Sequence, residues 1–451
     1  MNTKVKVGKI FKDALEKVDP SFLVKGYAEQ IRSYASVKDV STILVVGFGK
    51  AAYQMAKAFE EELSADLELE GAIVTKYGHA KQQLSAVSDQ GEDEKQIAGL
   101  KNIKVYEAAH PIPDENGVKA AEEIVDLLKN ADANTLVLCL VSGGGSALFV
   151  CPYTGITLAE KQVVTDLLMK AGADITELNS VRKHISLVKG GRLVEIASPA
   201  EIVTFMISDV VGDKLDVIAS GPTAPDTSTF KDAINVVNKY GLAEKIPASV
   251  MDVLSRGDEG LIPETPKKRS DVFKKVNNII IGSNRKALDA AAQSARSMGY
   301  ETKILSAKVI GDAHDAAKWL AEKTLESKLM KDRLKKGPIC LISGGETTVT
   351  VTGKGKGGRN TEFALVFAME VEGVEGVTML SAGTDGTDGP TDAAGALVNG
   401  ETIERAKELG LDPLKYLGDN DSYNFFEQMK SLIITGPTGT NVMDIQIVVI
   451  D

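Results

Sequence analysis

Cysteine is the first shortage. Three cysteines in 451 residues, Cys139, Cys151 and Cys340, are too few for a disulfide framework and lack the paired spacing of a zinc site. Cys139 and Cys340 each lie inside an apolar run, where a free thiol acts as a small core residue. This usage fits a reducing cytoplasm. Long apolar stretches are missing too, and no run reaches the ~18 residues of a membrane span. The opening segment MNTKVKVGKIFKDALEKVDPSF reads as an amphipathic helix without a continuous signal-peptide core. Basic charge is in deficit. A net charge of −11 argues against general binding to nucleic acid or to anionic membranes. Two catalytic signatures are absent as well. No stretch fits G-x-x-x-x-G-K-[ST], which argues against a P-loop nucleoside triphosphatase. The serine-containing glycine turn LVSGGGSALF is not the G-x-S-x-G elbow of hydrolases, because Ala147 and Leu148 follow Ser146.

What remains is an ordinary globular composition, 43% hydrophobic and 25% charged, long enough for two or three domains. Strand-like and helix-like segments alternate, which predicts an α/β architecture with largely parallel sheets. Strands are expected at Thr42–Val46, Ala72–Thr75, Thr135–Val141, Ile202–Ile207, Asn278–Ile281, Ile339–Ile342, Val377–Leu380 and Leu432–Thr435. A last one is expected in MDIQIVVID at the C-terminus. Lys50–Glu62 has helical periodicity. The polar, proline-containing stretch Ser255–Lys275 breaks the rhythm and reads as a domain junction or a long excursion. The expected division is an N-terminal domain over 1–255, a junction over 256–275 and a C-terminal domain over 276–451.

Three glycine-rich turns follow three apolar runs between Ile342 and Gly395. They read SGGETTVTV from Ser343, GKGKGGRNTEFAL from Gly353 and SAGTDGTDGPTDAAG from Ser381. Glycine lets backbone N–H groups approach an anion, Lys and Arg balance its charge, and Asp is a hard oxygen ligand suited to Mg²⁺. The set predicts a site for nucleotide phosphates and a metal.

Upstream, Gly47, Gly49 and Ala52 formally fit G-x-G-x-x-A, the dinucleotide fingerprint. The acidic ribose partner expected some twenty residues on is missing, since Thr75, Lys76, Tyr77 and Gly78 stand there. Lys50 is the sharper feature. A lysine at a helix N-terminus opposes the helix dipole, and a bound phosphate relieves that. Ser142–Ser146 places three glycines between two serines, a turn able to present N–H groups and hydroxyls to an anion. His110, in a Pro-containing turn, is either a substrate contact or a loop anchor. Arg182, Lys183, His184, Lys189 and Arg192 cluster around Gly190 and Gly191, as a solvated face or an anion site. Asp209 and Asp213 follow a strand, and Ser220–Gly221–Pro222–Thr223 lies just beyond. Aspartate at such a place suits a metal ligand, a general base or a cap.

The ordered set GFGKAA, HPIPDENG, LVSGGGSALF, VRKHISLVKGGRL, SDVVGDKLDVIASGPT, GSNRKAL, LISGGETTVTVTGKGKGGRNTEFAL and SAGTDGTDGPTDAAGA resembles glycerate 2-kinases of the MOFRL type, the class II glycerate kinases. The resemblance runs from about Lys12 to the C-terminus. It implies a Rossmann-like α/β/α N-terminal domain, a MOFRL-type α/β C-terminal domain with the MOFRL region at about 338–451, and an active site in the cleft between them. The implied reaction is ATP-dependent phosphorylation of D-glycerate to 2-phosphoglycerate with Mg²⁺. The family's lysine in GFGKAA falls on Lys50 and its arginine in GGRN on Arg359.

On that footing Lys50 and Arg359 are expected to stabilise the transferred phosphoryl group, and Asp209 to orient or deprotonate the attacking hydroxyl. Phosphates or the glycerate carboxylate are expected at Ser142, Gly143, Gly144, Gly145, Ser146, Ser220, Gly221, Asn284, Ser343, Gly344, Gly345 and Asn360. Asp385, Asp388 and Glu346 are the expected metal ligands. The partners would be small molecules, without nucleic acid or membrane, and the chain a cytoplasmic monomer or homodimer. The rival reading is an NAD(P)H-dependent hydroxypyruvate reductase built on Gly47-x-Gly49-x-x-Ala52.

Overall fold

A computed structural model describes residues 2–38, 40, 42–80 and 100–451. The chain forms two compact units. One holds residues 23–208 and 213–281, the other 1–22, 209–212 and 282–451. This division departs from the expected one in two places. The N-terminal helix Thr3–Lys17 belongs to the C-terminal unit, where it buries Val7, Ile10, Phe11 and Ala14. Ser294 donates to its Asp13 at 2.6 Å. The stretch 255–275 is no linker but an excursion of the first unit. Ile262 is buried there, Thr265 Oγ1 donates to Asp226 at 2.9 Å, and Pro263 accepts from Arg192 at 3.1 Å.

The first unit carries a six-stranded sheet of β1 (Thr42–Phe48), β2 (Leu69–Lys76), β3 (Ile103–Ala108), β4 (Thr135–Val141), β5 (Glu201–Ile207) and β6 (Val276–Gly282). Their order is β3-β2-β1-β4-β5-β6. β1 runs parallel to β2 and β4, β2 to β3, and β4 to β5. Every residue of β4, TLVLCLV, is buried, as a central parallel strand covered on both faces requires. The helices Leu158–Lys170, Ile175–His184, Phe230–Lys239 and Ala248–Asp258 form a second core around Val164, Leu168, Val181, Phe230 and Val250. In this strand order the direction of winding reverses between β1 and β4, and ligands bind beyond the carboxyl ends of the strands at that point.

The second unit carries β7 (Glu301–Asp312), β8 (Ile339–Thr348), β9 (Val377–Gly383), β10 (Gly395–Asn399), β11 (Leu432–Ile433) and β12 (Asp444–Ile450). Their order is β11-β10-β9-β12-β8-β7. The expectation of largely parallel sheets is wrong here. Only β7 and β8 pair in parallel among the pairs of this sheet, because β12 inserts between β8 and β9 running against both. All seven residues of β12 are buried. The helix Arg359–Glu370 packs Phe363 and Phe367 into the core beside Leu341, Met379 and Val448. Among the described residues no helix is long and apolar enough to cross a membrane.

Candidate functional site

In the first unit the loops after β1 and β4 meet at the switch point. Lys50 N donates to Gly143 O at 2.9 Å, Ser142 N to Phe48 O at 3.2 Å, and Ala51 N to Ser142 Oγ at 2.9 Å. Gly49 makes this possible. Its φ of +128° suits only glycine, and a Cβ there would collide with the Ser142 backbone. The Lys50 ammonium has no ion pair or hydrogen bond among the described residues, while its carbonyl is held by His79 Nδ1 at 3.1 Å and Thr75 Oγ1 at 3.3 Å. The amides of Gly143 and Gly144 are likewise unbonded.

His110, from the segment after β3, packs against the β4 loop. Its ring lies 3.0 Å from where a Gly144 Cβ would be, and the Lys50 stem 3.5 Å. Burial first, then Lys50, Lys76 and His79, push the His110 pKa down to about 4, so the ring is neutral at physiological pH. A Cβ on Gly145 would lie 3.0 Å from Ala219 Cβ, on the other side of the loop. Ser146 Oγ is 2.7 Å from Ser220 Oγ, which donates to Asn179 Oδ1 at 3.0 Å. The groups expected at Lys50, Ser142–Ser146 and Ser220–Gly221 therefore come together at the ends of β1 and β4. Ser142 and Ser220 are themselves buried, so Ser142 knits the loops and Ser146 carries the more open hydroxyl.

The second unit centres on Arg359, the first residue of its helix. Nε donates to Asp444 Oδ2 at 2.6 Å and Nη2 to Asp444 Oδ1 at 3.0 Å, a bidentate pair, while Nη1 lies 3.1 Å from Glu346. Burial opposes the charge on Arg359, but Asp444 and Glu346 outweigh it and raise its pKa. A guanidinium has five N–H groups, so two stay available. Burial and the neighbouring Asp444, Asp209 and Asp385 raise the Glu346 pKa against the pull of Arg359. One arginine thus sits among several carboxylates, a surplus of negative charge that suits a cation.

Several expected contacts turn out to be structural. Ser343, Gly344 and Gly345 form no turn. They lie within β8 and pair with Gln446, Ile445 and Asp444 of β12. Ser343 is fully buried and donates to Gln446 at 3.1 Å. Asn284 packs against Gly344 and pins β12 by donating to the carbonyls of Val442 and Asp444 at 2.9 and 2.8 Å. Asn360 is buried, bonded to Asp388, Asp444 and Ser381. Asp388 is 1% exposed. Its Oδ1 accepts from Asn360 N at 2.9 Å and from Asn360 Nδ2 at 3.4 Å. Its Oδ2 accepts from Thr361 N and Thr361 Oγ1, both at 2.8 Å. All four lone-pair positions serve the start of the helix, so Asp388 caps it rather than facing a metal. Burial raises its pKa to about 6 despite those bonds. Asp385 differs. Among the described residues only its Oδ1 is engaged, by Thr387, and the side chain is half-buried.

The glycine loop before Arg359 also has its amides occupied. Thr352 N and Gly353 N donate to Asn420 Oδ1, Lys354 N to Asp419 Oδ1, Gly355 N to Asp419 O and Lys356 N to Asp421 Oδ1. Lys356 covers the Tyr423 ring at 3.9 Å. Segment 419–421 and Asp444 were not foreseen. Asp444 and Gln446, two polar residues inside an apolar strand, were the available signal. Asp419-Asn420-Asp421 gave none, because its partners lie about 65 residues away.

The chain was compared with known proteins. A family profile described as "Domain of unknown function (DUF4147)" matches residues 6–255, and one described as "MOFRL family" matches 339–444. A D-glycerate 2-kinase of Thermotoga maritima is 42% identical over 97% of this chain and 95% of its own length. A protein of Agrobacterium vitis provisionally named as a hydroxypyruvate reductase is 41% identical over 90% of this chain and 99% of its own. The crystal structure of a glycerate kinase from Thermotoga maritima superposes with a TM-score of 0.85 at 42% identity, covering all of both chains. The Rossmann-type first sheet, the second mixed sheet and these full-length matches agree, and the chain belongs to the glycerate 2-kinase family of the MOFRL type.

Proposed function

We propose that the chain transfers the γ-phosphoryl group of ATP to the 2-hydroxyl of D-glycerate, with Mg²⁺ as the accompanying cation. The full-length relationship to a D-glycerate 2-kinase supports this, and the unpaired Lys50 ammonium at the switch point is the observation that carries it. Phosphoryl transfer asks a protein mainly to position its reactants and neutralise charge. Lys50 supplies a cation to the transferred phosphoryl group, with the free amides of Gly143 and Gly144 beside it. Arg359 offers its two remaining N–H groups, and Asp444 fixes the plane of the fork. Asp209 follows β5 and orients or deprotonates the acceptor hydroxyl.

Among the described residues no three His, Cys, Asp or Glu side chains converge as a ready-made metal cage. That fits Mg²⁺, which takes one or two protein carboxylates and completes its shell with water and phosphate. Glu346 and Asp385 are the carboxylates that would hold it, beside Arg359. When bound it would supply positive charge against the phosphates. The chain is read as a cytoplasmic monomer or homodimer acting on small molecules, in line with its net charge of −11 and its reduced cysteines.

The reductase reading meets a physical obstacle. In a dinucleotide fingerprint the second glycine leaves room for the pyrophosphate at the helix N-terminus. At Gly49 that room is filled by Ser142, which also accepts from Ala51 N at the start of the helix. The test is one assay with two arms. D-glycerate, ATP and Mg²⁺ should yield ADP and 2-phosphoglycerate, the position read by NMR. Hydroxypyruvate with NADH or NADPH should yield nothing. Turnover in the second arm alone would overturn the kinase reading.

A further inference from the structure

The basic stretch from Arg182 to Arg192 divides by partner. Lys183 and His184 belong to a buried network. Lys183 Nζ donates to Asp226 at 3.0 Å, and Asp226 also accepts from Thr265 and Ser228. His184 Nδ1 is 2.6 Å from Ser180 O and Nε2 3.3 Å from Glu264. Arg192 Nη2 donates to Pro263 O and its guanidinium lies over Tyr153. These residues fasten the helical layer to the excursion at 262–265.

Arg182 and Lys189 are left over. Arg182, in the last turn of the helix Ile175–His184, is half-buried and has no hydrogen bond, ion pair or ring partner among the described residues. Lys189 is 1% exposed, and its Nζ makes a single long bond of 3.4 Å to Ala219 O. A nearby third cation, Lys161, is accounted for. Its Nζ donates to Ile185 O at 3.1 Å, at the carboxyl end of a helix where positive charge is favoured. Among the described residues no carboxylate meets Arg182 or Lys189. Burying an unpaired ammonium costs several kcal/mol, and such a group is retained where an anion repays it. Burial first, then Lys161 and Arg182, lower the Lys189 pKa, which favours the neutral amine until an anion stabilises its proton.

A chain of neutral polar groups lies at the same place. Lys189 reaches Ala219 O, and the next residue, Ser220, joins Ser146 and Asn179 in one hydrogen-bonded chain. Asn179 lies three residues before Arg182, on the same face of the helix. Ala219 and Ser220 both hold left-handed backbone, with φ of 51° and 63°. Residues other than glycine keep that conformation only where their surroundings enforce it. Gly144 and Gly145 divide this set from Lys50 and His110 on the opposite side of the loop.

We propose that Arg182 and Lys189, with the hydroxyl of Ser146, form a subsite that binds the carboxylate of the acceptor substrate. The proposal rests on the glycerate kinase reading and adds to it what distinguishes a 2-hydroxy acid from an uncharged polyol. An arginine fork matches a planar carboxylate, and the buried Lys189 suits one small terminal group rather than a triphosphate chain. Lys50, across the loop, stays available to the phosphoryl group.

The test compares wild type with Lys189→Met, which keeps the volume and removes the charge, and with Arg182→Gln. KM for D-glycerate and for ATP are measured, together with kcat/KM for glycerol, which lacks the carboxylate. Thermal unfolding is followed with D-glycerate and, separately, with inorganic phosphate. Each variant should raise KM for D-glycerate about 30-fold with KM for ATP within threefold, the loss of one charged hydrogen-bonding partner. The preference for D-glycerate over glycerol should narrow by the same factor. D-glycerate should protect the wild type against heat and the variants hardly at all. An unchanged KM for D-glycerate in a folded variant overturns the subsite. A rise in KM for ATP alone, or protection by phosphate that both variants lose while protection by D-glycerate persists, makes it a phosphate site and also overturns it. Should Lys189→Met not fold, Arg182→Gln, at a half-buried position, carries the same expectations. If the wild type does not phosphorylate D-glycerate, the kinase reading has failed, and the unfolding arm still decides the subsite.

Discussion

Ser142 Oγ accepts a hydrogen bond from the backbone amide of Ala51 at 2.9 Å. One side chain from the β4 loop thereby holds the amide of the residue that precedes the helix Ala52–Leu63. The two loops share further bonds, Lys50 N to Gly143 O and Ser142 N to Phe48 O, so Lys50 sits on a braced turn. Ser142→Ala should cost about 1 kcal/mol, the usual net contribution of one hydrogen bond. Gly49→Ala should cost about 2 kcal/mol or more, since φ of +128° is strained for alanine and its Cβ meets the Ser142 backbone. Urea unfolding of both variants checks the ranking. Equal costs would mean the loops separate freely.

Arg359 and Asp444 form a bidentate pair, which makes Asp444 a positioning residue. Asp444→Asn keeps the shape but removes the charge that orients the fork. Its kcat should fall about 100-fold, near 3 kcal/mol of transition-state stabilisation, with KM for ATP little changed. Arg359→Lys keeps the charge but not the fork and should fall by a similar factor. A drop confined to KM in both variants would show that the pair binds substrate without acting on the transition state.

Asp388 and Asp385 lie three residues apart and should respond in opposite ways. Asp388→Ala strips the amides of Asn360 and Thr361 of their acceptor and should lower stability by about 1–3 kcal/mol. The Mg²⁺ concentration giving half-maximal rate should stay unchanged. Asp385→Asn should leave the urea midpoint alone and raise that concentration about tenfold, a loss of about 1.4 kcal/mol in binding. The reverse pattern would restore Asp388 as the metal ligand.

Local pattern made much of this readable in the sequence. β4 is legible because seven apolar residues in a row fit only a covered parallel strand, and Thr135–Val141 matches the predicted bounds. Lys50 stands out because a lysine at a helix start needs a reason. Two misses, at Ser343–Gly345 and at Asp388, share one cause, which is that they depend on distant partners. Ser343–Gly345 looks like a turn by composition and becomes strand because β12 supplies its ladder from a hundred residues away. Asp388 resembles a metal ligand until the helix at Arg359 claims its oxygens. β7 went unrecognised because half its residues are only partly buried and its apolar alternation is weak.

His110 gives a prediction about pH. Burial, then Lys50, Lys76 and His79, hold its folded pKa at about 4, against an ordinary 6.5. The groups that act on it are all cationic or neutral, with no carboxylate among them. The unfolded chain therefore binds a proton at this residue more readily than the folded one between pH 6.5 and about 4. Stability from this source is complete above pH 6.5 and is lost as pH falls through that window. His110→Asn should flatten that part of the stability curve relative to wild type, measured by urea midpoints at pH 5 and 7.5. His79, also depressed by burial, remains in both proteins, so the comparison isolates His110. The His110 ring proton should titrate near pH 4 by NMR. Inorganic phosphate should move that titration upward, because an anion near Lys50 cancels the field that keeps the ring neutral. A titration at 6.5 that ignores phosphate would remove His110 from the site.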